Sequence, residues 1–168
     1  MQIRPGNPED SANLSALAIQ VWLQTYATAG ISSKISRFVL SEFSVSNFEA
    51  LLARASARVF LATVGENLVG YAVVFIGSQC PENERVRFEL ATLYVQEPFT
   101  RKAVGSRLLD QSESCARQEG SSLWLTVNSK NTRAIAFYAK HGYFKVGSTF
   151  FELKDEKHEN LVLLRQDA

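Results

Sequence analysis

The sequence predicts an α/β (α+β) fold in which a mixed central sheet of about seven strands is flanked by helices. Before residue 56, apolar residues recur mainly at helical spacing, whereas β-branched and aromatic runs dominate after it. Two further amphipathic stretches then separate the strand-like runs. The predicted order is a strand, three helices, two strands, two strand–helix pairs and two closing strands, which is typical of a mixed sheet covered by helices.

The first part of the chain is predicted to be mostly helical. Residues 2–4 form a short strand, and a helix with an acidic first turn runs over about residues 8–27. Ser32 or Ser33 is suited to cap a second helix, because a serine oxygen accepts from the unpaired amides of a first turn. A third, shorter helix covers about residues 46–55.

The middle of the chain is predicted to form strands. Residues 58–64 and 68–76 are rich in β-branched and aromatic side chains, and the turn at 65–67 joins them as a hairpin. A polar loop over 78–84 follows, and 88–96 is the next strand, closed by a proline that cannot continue a ladder.

The last part alternates again between helix and strand. No repeat, linker or low-complexity segment interrupts it, so we expect one domain over residues 1–168. The remaining predicted elements are a helix over 103–119 stopped by Gly120, a strand over 122–127, a helix over 132–140, and strands over 143–153 and 160–165 joined by a charged loop at 154–159.

Composition narrows the class of protein. The 168 residues are 46% hydrophobic and 21% charged, with a formal net charge of +1, so no general attraction to nucleic acid or anionic membrane is expected. The two cysteines, Cys80 and Cys115, are far apart and lack the spacing of a zinc site or a disulfide framework. The N-terminus lacks a signal-peptide pattern and no stretch is long and apolar enough to cross a bilayer, which predicts a cytoplasmic protein.

The segment around residue 100 carries the clearest sign of a binding site. Two adjacent cations, Arg101 and Lys102, lie between the strand over 88–96 and a helix start, with Gly105 just beyond. A helix N-terminus offers unpaired N–H groups and the positive end of a dipole, so this arrangement suits a pyrophosphate or a similar anion. The alternative is a pair of ordinary surface charges.

Two motifs together resemble the GNAT family of acetyl-CoA-dependent N-acetyltransferases. The first is Leu93-Tyr-Val95 with Thr100-Arg-Lys-Ala-Val-Gly105, and the second is Asn131 with Ala136-Phe-Tyr138 before Gly142-Tyr143. The family's phosphate loop reads Gln/Arg-x-x-Gly-x-Gly/Ala, so Thr100 and Ala103 depart from it. Alanine does not freely adopt the positive φ that glycine allows.

The resemblance implies a binding mode for acetyl-CoA. The backbone of Leu93, Tyr94 and Val95 would pair with the pantetheine arm like an added strand. Asn131 and Phe137 would contact the cofactor as well, and Tyr138 would lie near its sulfur. The implied phosphate-binding segment consists of Thr100, Arg101, Lys102, Ala103, Val104, Gly105 and Ser106.

Acetyl transfer to an amine needs a base, an oxyanion donor and an acid for the departing thiolate. The N–H of Val95 is the candidate oxyanion donor, and Tyr138 is the candidate acid. The alternative for Tyr138 is a structural role, as a helix tyrosine half-buried on the sheet. Glu89 is the candidate base, since it lies six residues before Val95 on the same face of a strand, and its position resembles that of the base in the histone-acetyltransferase branch. Its alternative is a solvated residue paired with Arg85 or Arg87.

The acceptor is the least defined part of the prediction. Trp22 and Tyr26 lie one helical turn apart on a helix that lines the acceptor site in the family, and they would shape an aromatic pocket for a cationic amine; core packing is the alternative for Trp22. The region from Val21 to Leu40 resembles the polyamine-acetylating branch, so a polyamine is the first candidate. A protein N-terminus or lysine is the second.

The predicted reaction is direct attack of the amine in a ternary complex. No cysteine or serine stands in a nucleophile setting, so a covalent acetyl-enzyme is not expected. A non-catalytic module that binds CoA is the rival suggested by Thr100 and Ala103, and a nucleotide-binding domain is disfavoured because GxGxxG is absent. A homodimer is compatible with the resemblance, although no segment fixes its interface.

Overall fold

The computed structural model describes residues 1–153 and 156–165, and side chains for 1–150 and 159–165. Single 3₁₀ turns at Pro8–Asp10 and Glu97–Phe99 precede two of the elements. The helices and strands are β1 (Gln2–Pro5), α1 (Ser11–Tyr26), α2 (Ser33–Glu42), α3 (Val45–Ala53), β2 (Ala57–Val64), β3 (Asn67–Ile76), β4 (Phe88–Val95), α4 (Val104–Gln118), β5 (Leu123–Asn128), α5 (Thr132–Lys140), β6 (Tyr143–Leu153) and β7 (Glu156–Arg165).

Within the described residues, the strands form a seven-stranded sheet in the order β1-β2-β3-β4-β5-β7-β6. β4 and β5 run parallel, whereas the β1–β2, β5–β7 and β6–β7 pairs are antiparallel. The mixed sheet and the order of elements predicted from the sequence are therefore confirmed.

The start of the last strand was predicted wrongly. β7 begins at Glu156 and not at residue 160, and residues 156–159 pair with 150–153 of β6. These four residues are polar or charged, so they carry no apolar alternation, but backbone pairing does not require it. Of the predicted charged loop at 154–159, residues 156–159 belong to β7, and Lys154 and Asp155 lie outside the described residues.

The parallel ladder between β4 and β5 is short. Among the described residues, its register contains Phe88 opposite Leu123 and Glu89 opposite Trp124. The remainder of β4, from Leu90 onward, has no β5 partner in that register. Strand pairing would otherwise occupy that edge of the backbone, so the end of β4 can accept another extended chain.

The described chain divides into two compact units, and the prediction of one domain over residues 1–168 stays a prediction. The first unit comprises Met1–Val73 and Thr92–Ser112. In it, a β-carbon on Gly70 would lie 2.8 Å from the carbonyl oxygen of Tyr94, so only glycine allows this backbone approach. Its largest fully buried side chains are Leu14, Leu61, Val69, Tyr71, Val104, Leu108 and Leu109.

The second unit comprises Val74–Ala91 and the described residues from Glu113 onward. One buried cluster in it contains Cys80, Val86, Trp124 and Val162. Both cysteines of the chain, Cys80 and Cys115, are free thiols.

A buried carboxylate organises the second unit. Glu113 on α4 is only 5% exposed and forms ion pairs with Arg165 and, at 3.5 Å, with Arg117. The hydroxyl of Tyr143 donates to the same carboxylate at 3.2 Å. Burial raises the pKa of Tyr143, so its phenol stays protonated at neutral pH. Glu113 therefore has partners on two strands, β6 and β7, and on its own helix.

None of the helices in the described part of the chain combines the length and the hydrophobicity needed to span a bilayer.

The start of α1 is fixed by a bidentate ion pair. Arg4 donates to both oxygens of Asp10, at 2.8 and 2.6 Å, and the amide of Asn7 donates to Asp10 at 2.9 Å. Asp10 is 6% exposed. The hydrogen bond from Arg4 is the main cause that lowers the pKa of Asp10, with a smaller effect from the Asn7 amide, and burial opposes both.

We expect Asp10→Asn to lower the free energy of unfolding by about 1–3 kcal/mol at pH 7, because hydrogen bonds to a charged group are lost. The folded pKa of Asp10 lies below its unfolded value, so this contribution is present above about pH 4 and is lost as pH falls through the folded pKa. Urea unfolding at several pH values measures it, with the exposed Asp110→Asn as control. A loss that does not depend on pH would contradict the ion-pair account.

Candidate active site

The turn before α4 has an unusual backbone. Arg101 and Ala103 are non-glycine residues with φ of 59° and 60°, in the left-handed region. The carbonyl of Glu97 accepts from both the amide and the hydroxyl of Thr100, at 3.1 and 2.9 Å. The amide of Arg107 donates to the carbonyl of Ala103 at 3.0 Å and closes the first turn of the helix. Ala103 thus adopts the conformation for which glycine is better suited, at a cost of about 1–2 kcal/mol.

The residues of this turn lie at the surface. Arg101, Lys102 and Ala103 are exposed, and the ammonium of Lys102 lies 5.4 Å from the centre of the Phe99 ring. Val104 is 2% exposed and anchors the helix start. The first amides of a helix have no partner within the helix, and they carry the positive end of its dipole. The turn therefore has the donors and the charge for an anionic group.

The end of β4 is held rigidly by its neighbours. The amide of Gln96 donates to the carbonyl of Val69 at 3.0 Å, and the rings of Tyr94 and Tyr71 pack in a T-shape at 5.6 Å. Burial raises the pKa of both tyrosines, so both phenols are uncharged at neutral pH. Leu93, Tyr94 and Val95 are each partly buried.

Aromatic rings form a face on α1 and α2. The Trp22 ring lies 5.0 Å from those of Tyr26 and Phe38, and Tyr26 is 49% exposed. Gln96 donates to the side-chain oxygen of Gln20 at 2.6 Å, and Tyr26 is close enough to Tyr94 to add to the rise in its pKa. The structure therefore places α1, which carries Trp22 and Tyr26, beside the end of β4. The role of the aromatic face toward an acceptor stays a prediction.

Glu89 has a partner that the sequence did not indicate. The hydroxyl of Ser78 donates to its Oε2 at 2.6 Å, and Glu89 is partly exposed. Among the described side chains, it forms no salt bridge with Arg85 or Arg87, the partners of the alternative prediction. Sequence reasoning missed Ser78 because a polar loop residue has no periodicity to connect it with a particular strand.

Tyr138 lies on α5 and is 8% exposed, so it is more deeply buried than the half-buried tyrosine of the alternative. Its ring packs at 5.2 Å on Phe137 and at 5.7 Å on Tyr143, both in T-shaped geometry. Tyr143 in turn is hydrogen-bonded to Glu113. The ring of Tyr138 therefore rests on a residue that a buried ion-pair network holds in place.

Asn131 has a structural task that the resemblance did not imply. Its side-chain oxygen accepts from the amide of Ala134 at 3.0 Å and caps α5. That oxygen already accepts one hydrogen bond, whereas the side-chain nitrogen keeps two N–H donors for other partners. The sequence held this signal, because asparagine before a helix is a common cap.

Because Ala103 is left-handed, replacing alanine by glycine should have opposite effects on the free energy of unfolding at this position and in a helix. Ala103→Gly should raise the free energy of unfolding by about 0.5–1 kcal/mol, since glycine removes the strain at φ 60°. Ala16→Gly, on the exposed face of α1, should lower it by about 1 kcal/mol, since glycine costs helix stability. Urea unfolding of both variants measures the difference. Equal destabilisation by the two substitutions would contradict the left-handed conformation.

A sequence model of the acetyltransferase (GNAT) family matches residues 21–143. An uncharacterised N-acetyltransferase of Mycobacterium tuberculosis is 27% identical over 158 residues, which cover 94% of this chain and 97% of the relative. A spermidine N(1)-acetyltransferase of Thermoplasma acidophilum is 26% identical over 165 residues, which cover 95% of this chain and 99% of the relative.

Solved structures share the fold. The PaiA N-acetyltransferase of Thermoplasma acidophilum, solved with coenzyme A, has a TM-score of 0.76 at 20% identity and covers 99% of this chain and 98% of its own. A ribosomal-protein-alanine N-acetyltransferase of Brucella melitensis has a TM-score of 0.68 at 18% identity and covers 98% of this chain and 99% of its own. At these identities the likeness shows a common fold.

Proposed function

The chain belongs to the GNAT family of acetyl-CoA-dependent acetyltransferases, and from this premise we propose that it acetylates a small primary amine. The observation that carries the proposal is the turn before α4. Two non-glycine residues, Arg101 and Ala103, keep left-handed backbone at the position of the family's phosphate loop. Strained backbone of this kind persists where the surrounding structure enforces it, and it concentrates at functional sites.

The proposed binding mode uses the backbone more than the side chains. The amides of residues 101–106 hold the pyrophosphate of acetyl-CoA, and Arg101 and Lys102 add positive charge. The edge of Leu93–Val95 pairs with the pantetheine arm, which the short β4–β5 register supports. Asn131 contributes its side-chain nitrogen, and Phe137 contacts the cofactor through its ring.

The proposed reaction is a direct attack in a ternary complex. Glu89 takes the proton of the acceptor ammonium, and the amine nitrogen attacks the acetyl carbon. The N–H of Val95 donates to the oxyanion that develops on the carbonyl. As the carbon–sulfur bond breaks, Tyr138 gives its phenolic proton to the leaving thiolate. The former amine nitrogen loses its second proton, and this proton restores the phenol of Tyr138 directly or through water. The new carbon–nitrogen bond thus replaces the carbon–sulfur bond.

A polyamine is the first acceptor that we propose. The relative named as a spermidine acetyltransferase, which matches nearly the full length of this chain, supports this choice. Residues 11–41, which include all of α1 and all of α2 except its last residue, Glu42, contain no Asp or Glu. This stretch therefore offers a cationic amine the rings of Trp22 and Tyr26 instead of ion pairs. A protein N-terminus or lysine is the second candidate, supported by the fold shared with the ribosomal-protein-alanine enzyme.

Release of free CoA thiol with a panel of amines tests the proposal. Spermidine, a peptide with a free N-terminus and a peptide with an internal lysine would be compared at equal concentration, each with an acetylated control. Turnover with spermidine is the expected result, and turnover confined to either peptide would favour the second candidate. Binding of acetyl-CoA by calorimetry without turnover of any amine would instead identify a non-catalytic CoA-binding module.

Tyr138→Phe should lower kcat about 100-fold or more and leave the Kd for acetyl-CoA almost unchanged, because only the transferable proton is lost. Tyr143→Phe is the matched control: it removes the hydrogen bond to Glu113 but keeps the ring on which Tyr138 packs, so it should lower stability and change kcat far less than Tyr138→Phe. Steady-state kinetics, calorimetry and thermal unfolding of both variants separate the two effects. A wild-type kcat for Tyr138→Phe would remove this residue from the role of acid.

A further inference from the structure

We propose that Ser78 is a positioning residue that holds Glu89 in the orientation needed to accept the proton of the amine. The inference rests on the proposed function, in which Glu89 is the base. Ser78 donates to Oε2 of Glu89 at 2.6 Å, the short distance typical of a hydroxyl on a charged carboxylate. Among the described residues, the other oxygen, Oε1, has no hydrogen-bond or salt-bridge partner. One carboxylate oxygen of Glu89 is thus hydrogen-bonded to Ser78, and the other can accept the proton of the amine.

The position of Ser78 is set by a buried tryptophan. The indole Nε1–H of Trp124 donates to the backbone carbonyl of Ser78 at 2.9 Å, and Trp124 is 5% exposed. Trp124 is also the register partner of Glu89 in the parallel β4–β5 ladder. Residues opposite each other in a ladder point to the same face, so the indole and the carboxylate are neighbours. The strand that flanks Glu89 therefore also anchors its donor.

The loop that carries Ser78 is fixed on both sides of it. Gly77 has φ of 84°, and its amide donates to the carbonyl of Arg87 at 2.8 Å. The amide of Cys80 donates to the carbonyl of Val86, also at 2.8 Å. Cys80 and Val86 belong to the same buried cluster as Trp124. With its backbone held in this way, the hydroxyl of Ser78 has a defined place relative to the strand.

Proton transfer depends on this kind of preorganisation. A carboxylate on a partly exposed strand can rotate among several side-chain conformations, and a misplacement of about 1 Å is enough to slow a reaction strongly. The hydrogen bond from Ser78 selects one of those conformations. If the hydrogen bond between Ser78 and Glu89 only joined the loop to the strand, its loss would lower stability without slowing the proton transfer.

The test measures kcat, KM for the amine and thermal unfolding for Ser78→Ala, Ser78→Thr and the control Ser148→Ala. Ser148 also donates from a partly buried hydroxyl to a glutamate, Glu159, at 2.7 Å. We expect Ser78→Ala to lower kcat about tenfold, the effect of one hydrogen bond to a charged group, and Ser78→Thr to restore it. Ser148→Ala should leave kcat unchanged.

The same substitutions in a Glu89→Gln background show whether Ser78 acts through Glu89. If it does, the two effects are not additive, and Ser78→Ala changes the low remaining kcat very little. The acidic limb of the pH–rate profile, which should flatten in Glu89→Gln, should also change in Ser78→Ala. Equal effects of Ser78→Ala in both backgrounds would overturn the proposal, as would an unaltered kcat or a loss that Ser78→Thr does not restore.

Trp124→Phe provides a second variant should Ser78→Ala fold poorly. It removes the indole N–H but keeps most of the buried ring, and it should lower kcat in the same direction through Ser78. A folded Trp124→Phe enzyme with wild-type kcat and pH profile would overturn the proposal. A wild-type chain that acetylates no amine contradicts the proposed function itself, whereas an active wild type with an equally active Ser78→Ala contradicts only the role of Ser78.

Discussion

The site depends first on the backbone of the turn that leads into α4. Holding Arg101 and Ala103 in left-handed conformations costs about 1–2 kcal/mol each. The conformation persists because both ends of the turn are fixed. Thr100 is hydrogen-bonded back to Glu97, and the buried side chain of Val104 holds the first residue of the helix. In the proposed binding mode, this strained backbone turns the first helical amides toward the pyrophosphate.

The candidate base depends on a different constraint. Glu89 lies where the ladder between β4 and β5 has its last described pair, and its carboxylate is held by a loop that is anchored to the core. Tyr138, in the same unit, rests on Tyr143 and through it on the ion pairs of Glu113. The proposed acid and the proposed base are thus each supported by a buried side chain that has no proposed role in the chemistry.

Much of the fold was predictable because it follows from local patterns. Helical periodicity predicted the three N-terminal helices, and a serine at the capping position indicated the start of α2. The early start of β7 was not predicted, because its first four residues are polar and their pairing with β6 leaves no apolar pattern in the sequence. The positive φ of Ala103 was not predictable, since alanine normally avoids it. The contact between Ser78 and Glu89 joins a loop to a strand, and only the folded chain reveals it.

In the proposed binding mode, the amides at the start of α4 hold the pyrophosphate of acetyl-CoA. The most direct measurement is a titration of the ¹⁵N-labelled protein with CoA, followed by the amide resonances in NMR spectra. Large shifts of the amides of residues 101–106, which inorganic pyrophosphate reproduces in part, are the expected result. Saturable binding of CoA that leaves these resonances in place and shifts others instead would contradict the account.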